Sequence, residues 1–137
     1  MKRVKRIFAI CVFLVPLSYL SAQFSLTVEI VDLESNKGVV IVDLLDTNEK
    51  SVRDTTVKIA DNKCIIVFED VRNGQYAIRY FHDENSDEEM DSNFLGIPKE
   101  GFGFSNDAMG KFGPKDFSEW LFEVSGDTTI KMTTKYF

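Results

Sequence analysis

Apolar and polar residues alternate with a period of two along much of the chain. Phe24, Leu26, Val28 and Ile30 alternate with Ser25, Thr27 and Glu29, the pattern of a strand with one wet face. Ser35-Asn36-Lys37-Gly38 is a turn cluster, and Val39 to Leu45 is apolar on both faces up to Asp43, which suits a central strand. After a turn at Asp46–Glu49, the polar run Ser51 to Ile59 reads as an edge strand carrying charge. Lys63 to Glu69 predicts a strand with Ile66 and Phe68 inward. Arg72-Asn73-Gly74 turns the chain into another, where Tyr76, Ile78 and Tyr80 alternate with Gln75, Ala77 and Arg79. Trp120, Phe122 and Val124 share one face of a later strand, and Thr128 to Thr134 is the last, with Ile130 and Met132 inward.

Between Asp83 and about Glu119 this periodicity disappears. A connection longer than about 12–15 residues is unusual in a compact domain and tends to be functional or disordered. Here Phe94, Leu95, Ile97, Phe102, Phe104, Met109, Phe112 and Phe117 are too apolar for a solvated linker. They are expected to pack the loop against the sheet, with glycines making the turns. Pro114 to Glu119 predicts one helical turn with Pro114 at its first position. The fold class that follows is all-β: an antiparallel β-sandwich of about seven strands with one long Gly/Phe-rich loop.

The N-terminus changes the compartment. Lys2, Arg3, Lys5 and Arg6 precede an apolar run from Ile7 to Leu20 and then Ser21-Ala22-Gln23. This is the order of a secretory signal peptide, so residues 1–22 are expected to be removed and residues 23–137 to form one domain. The run is shorter than the ~20 residues that span a membrane. The product is expected to be exported, to the periplasm or outside the cell, with no membrane attachment after cleavage. Of 16 basic residues four leave with the leader, so 12 remain against 22 acidic ones, a net charge of −10. Such a surface repels nucleic acid and favours cations or basic partners. Cys64 alone remains of the two cysteines. It excludes an internal disulfide and reads as a small buried hydrophobe.

The densest candidate chemistry follows His82. Asp83, Asn85, Asp87 and Asp91 fall at positions one, three, five and nine of a loop, with Glu89 at seven. Side-chain oxygens at this spacing, with a backbone carbonyl from Glu89, can wrap a calcium ion. Glu88 stands where such loops use glycine, and Phe94 where they end in a bidentate glutamate. The other reading is a solvated acidic turn. His82 is the single histidine, Ser105 in Gly-Phe-Ser-Asn-Asp is no nucleophile elbow, and one histidine with one cysteine makes no zinc set. These features argue against an enzyme: neither catalytic residues nor a cofactor other than calcium is expected.

Phe68-Glu-Asp-Val-Arg-Asn-Gly-Gln-Tyr76 resembles the Phe…Gly-x-Tyr segment of transthyretin-like and carboxypeptidase-regulatory-like sandwiches. Tyr76 to Asn85, Asp91 to Asn106 and Lys111-Phe-Gly-Pro114 together resemble the DUF2141 family of bacterial exported proteins across nearly all of the mature chain. The resemblance implies one exported β-sandwich, supplies no catalytic residues, and places both Phe68 and Tyr76 in the core. Members commonly carry an Asp-x-Asn-x-Asn/Asp-Gly loop in which Glu88 here replaces the glycine. The leading function is a non-catalytic binding or accessory module whose partner is a protein or glycan of the cell envelope. The alternative is a carbohydrate-active hydrolase or sugar-processing enzyme using paired carboxylates.

Overall fold

The computed structural model describes residues 22–137. The segment expected to be a signal peptide, apart from Ala22, lies outside the described residues. The strands are β1 (Gln23–Val31), β2 (Val39–Leu45), β3 (Ser51–Lys58), β4 (Cys64–Arg72), β5 (Gly74–Asp83), β6 (Phe102–Phe104), β7 (Met109–Gly110), β8 (Gly113–Pro114), β9 (Phe122–Val124) and β10 (Thr128–Thr133). One sheet has the order β10-β1-β4, and the other β3-β2-β5-β6 with β9 beside the start of β5. Inward residues of both sheets form one core, including Leu26, Val28, Val42, Phe68, Ile78 and Met132. The seven strands read from periodicity are all present, and the fold is all-β as expected.

Four details depart from the expectation. The β1–β10 pair is parallel, while the other ladders are antiparallel. The chain crosses between the sheets before β10, which reaches the free edge of β1 running the same way as β1. Trp120 does not share the face of Phe122 and Val124. It precedes β9 and packs with Leu45, Ala77 and Ala108 in a second cluster on the far side of the β3-β2-β5-β6 sheet. Tyr76 is half-buried and packs against the rim of the core, with its hydroxyl donating to the Arg72 carbonyl at 3.1 Å, whereas Phe68 is buried.

Pro114 ends β8 instead of starting a helix, and the short helical turn covers Phe117–Glu119. The edges of the two sheets meet at β3, where the Arg53 guanidinium donates to the carbonyls of Glu69 and Asp70 on β4. A charge on an edge strand thereby occupies backbone acceptors that would otherwise invite another chain.

Candidate functional site

The acidic loop begins where β5 ends. Asp83 is fully buried, and its two carboxylate oxygens accept the backbone N–H groups of Asp87 at 3.2 Å and Glu88 at 2.9 Å. To bring those N–H groups around, Ser86 and Glu88 adopt left-handed φ values of 60° and 65°. Glu88 thus takes the conformation for which related loops use glycine, and it bears the steric cost of a side chain there. A second buried carboxylate, Glu100, accepts from Glu84 N–H at 3.0 Å and from Asp91 N–H at 3.1 Å. Backbone donors therefore serve the two interior charges, as burial of a carboxylate requires.

The sequence-predicted ligands separate into two groups. Asn85, Asp87 and Asp91 meet at the surface, where the Asn85 amide donates to Asp87 Oδ2 at 2.9 Å and to Asp91 Oδ2 at 3.1 Å. Asp83 lies behind them, and Glu89 joins through its backbone N–H to Asp87 Oδ1 at 2.9 Å. Among the described residues no three acidic, histidine or cysteine side chains converge as a metal-holding group. Glu100 escaped sequence reasoning because it is one acid in a run of glycine and phenylalanine. Its single signal was that isolation.

The candidate nucleophiles and bases His82, Ser105 and Cys64 are all buried. His82 is fully buried, with Nε2 2.7 Å from the Lys37 carbonyl and Nδ1 2.7 Å from the Tyr136 hydroxyl. A carbonyl only accepts, so Nε2 carries a proton. Ser105 Oγ accepts the Ile78 N–H at 2.9 Å and donates to the Trp120 carbonyl at 2.5 Å. Burial pushes the Cys64 thiol up to about 11, far from an active thiolate.

The long loop divides into buried and exposed aromatics. Phe102 and Phe104 form β6, which pairs with β5. Phe102 lies beside Phe137 and Phe104 with ring centroids 5.7 and 5.9 Å away, and Phe104 stacks on Trp120 at 4.1 Å. The expectation that every apolar residue of this loop packs inward fails at its tips. Phe94 is 95% exposed, Leu95 69% and Phe112 93%. Phe94 and Leu95 top a turn in which Asn93 Oδ1 accepts the N–H groups of Leu95 and Ile97, and Phe112 tops the β7–β8 hairpin. These turns consume their residues in hairpin geometry and leave the side chains no sheet to lie on. Phe112 lines a hollow of about 560 Å³ with Ile97, Pro98, Phe102 and Phe137, and the other turn reaches this hollow through Gly96 and Ile97 rather than through Phe94 or Leu95.

A separate recess of about 520 Å³ lies on the face of the β3-β2-β5-β6 sheet turned away from the core. Strand register places Ile41, Phe81 and Phe102 in one cross-strand row, and Asp54, Asp43, Arg79 and Phe104 in the next. The Arg79 Nε and Nη2 both donate to Asp43 Oδ2, at 3.0 and 2.8 Å, while Asp43 Oδ1 is buried without a partner.

A family model described as "Uncharacterized protein conserved in bacteria (DUF2141)" matches residues 28–131. The chain belongs to the DUF2141 family. The DUF2141 match runs from within β1 to within β10 and includes the acidic loop and both exposed tips. No curated protein and no solved structure matches this chain. The likeness of Phe68–Tyr76 to transthyretin-like sandwiches therefore gains no support beyond the sequence.

Proposed function

We propose that this DUF2141 domain is an exported, non-catalytic binding module that docks a protein of the cell envelope through its Phe94–Leu95 and Phe112 tips. The carrying observation is the exposure of these large apolar side chains on two turns, of which Phe112 and, through Ile97, the Phe94–Leu95 turn line one hollow. Exposed large apolar side chains grouped on loop tips mark interaction sites, and phenylalanine supplies much contact area at little entropic cost. The acidic loop ends just before Phe94, which suits a partner with an apolar patch and a basic rim. The engagement of His82, Ser105, Asp83 and Glu100 in internal hydrogen bonds supports a non-catalytic reading over a hydrolase.

The test is recovery of partners on the mature domain from its native envelope, compared with a Phe94→Ser, Phe112→Ser double variant of equal melting temperature. A protein retained by the native domain and lost by the variant is the expected result. Equal recovery of all partners contradicts it.

A calcium role for the acidic loop is a second reading, favoured by one observation. Asp87 and Asp91 each direct a carboxylate oxygen at the Asn85 amide. Turning that amide over would place three oxygens around one point, the beginning of an oxygen-ligand set.

A further inference from the structure

We infer that the recess on the outer face of the β3-β2-β5-β6 sheet binds a small organic cation with an apolar body, an alkyl- or arylammonium compound. The recess is separate from the Phe94 and Phe112 tips, and Phe102 is the wall the two hollows share. The outer face of an antiparallel sheet is ordinarily polar. Here it presents Ile41, Phe81, Phe102 and Phe104. Met90, from the acidic loop, forms part of the wall, and its flexible thioether chain adapts to different shapes. A volume of about 520 Å³ is in the range of small-molecule sites, which combine apolar walls with a few polar groups.

The polar groups decide the sign of the ligand. Asp43 and Asp54 face each other directly across β2 and β3. Like charges in that relationship repel. Among the described residues Arg79 is the one cation paired with either, and it spends two donors on a single oxygen, Asp43 Oδ2. Asp43 Oδ1 has no hydrogen-bond partner, and Asp54 has no ion-pair partner among the described residues. The carboxylate torsion of aspartate is broad, so a modest turn presents Oδ1 to the recess. An ammonium group placed between the two carboxylates completes the unpaired acceptor and offsets the repulsion. Ile41, Phe81 and Met90, with the accessible parts of Phe102 and Phe104, then receive the apolar body, and an aromatic ring also attracts the cation itself.

The probes are 2-phenylethylamine, 2-phenylethanol and 3-phenylpropionate, titrated into the isotopically labelled mature domain and followed by nuclear magnetic resonance. The amine is expected to saturate, with shifts clustered at Ile41, Phe81 and Phe104. The alcohol should bind more weakly and the carboxylate not at all. Asp43→Asn should weaken amine binding on the order of tenfold, the worth of one charge-assisted hydrogen bond. Asp54→Asn, at an exposed edge-strand position, should weaken it less and leave the fold intact. Binding of the carboxylate as tight as the amine would overturn the inference and assign the recess to anions through Arg79. Absence of amine binding, or amine binding unchanged in both variants, would also overturn it. None of these results depends on the exposed tips, so the docking role stands or falls separately.

Discussion

The Tyr136 hydroxyl stands 2.7 Å from His82 Nδ1 and accepts the Glu34 N–H at 3.0 Å. One phenol near the C-terminus thus ties the end of β5 to the turn after β1. Removing the hydroxyl leaves a fully buried ring nitrogen and a backbone donor without their partner. Tyr136→Phe should cost about 1–3 kcal/mol, the usual penalty for an orphaned buried polar group. Urea unfolding measures it, and a loss under about 0.5 kcal/mol would show that solvent replaces the hydroxyl.

Two left-handed glycines should respond very differently to alanine. Gly38 has φ 65°, and a Cβ there would overlap the Asp83 carbonyl oxygen. Gly96 has φ 77° with nothing within 4 Å of an added Cβ. Gly96→Ala should cost only the left-handed penalty, about 1–2 kcal/mol. Gly38→Ala should cost clearly more, because the obstacle is backbone at the root of the acidic loop. Equal losses in thermal unfolding would contradict the packing described there.

Stability should decline at high pH through Cys64. Burial raises its thiol from 9.0 to about 11. The folded chain therefore keeps a proton that the unfolded chain releases. The contribution is fully present below about pH 8.5 and falls as the pH rises toward 11. Tyr80 and Tyr136, also raised by burial, add to the decline at higher pH. Cys64→Ala should flatten the curve between 9 and 11 relative to the native chain. An unchanged slope would mean that the tyrosines alone cause it.

Millimolar calcium should raise the melting temperature, by up to ~2.7 kcal/mol of stability at a hundredfold excess over Kd. Magnesium should do so less, because it gives up water reluctantly. Asp87→Asn with Asp91→Asn should abolish the effect while leaving Asp83 and Glu100 on their backbone donors. An equal effect of sodium chloride at matched ionic strength would reduce calcium to charge screening.

Period-two alternation located every long strand, because one face of each is buried and the pattern records it. β6 was illegible: Phe102-Gly103-Phe104 is too short to show a period. Its glycine is required because a Cβ would stand 2.6 Å from the Tyr80 hydroxyl oxygen. The apolar run in β2 signalled a central strand, yet it also supplied Ile41 to the outer recess. Spacing brought out Asn85, Asp87 and Asp91 together but could not reveal that Asp83 turns inward. The recess joins residues from four strands, and register across strands is not readable from one-dimensional periodicity.

The docking role is tested most directly by photo-crosslinking in the native envelope. A photoreactive residue is placed singly at positions 94, 112 and 65 of the full-length chain. Ile65 is 54% exposed on β4, in the other sheet, and serves as the control for exposed apolar residues. Positions 94 and 112 should yield the same discrete crosslinked protein, and position 65 should not. Crosslinks at 94 and 112 no more specific than those at 65 would contradict the account.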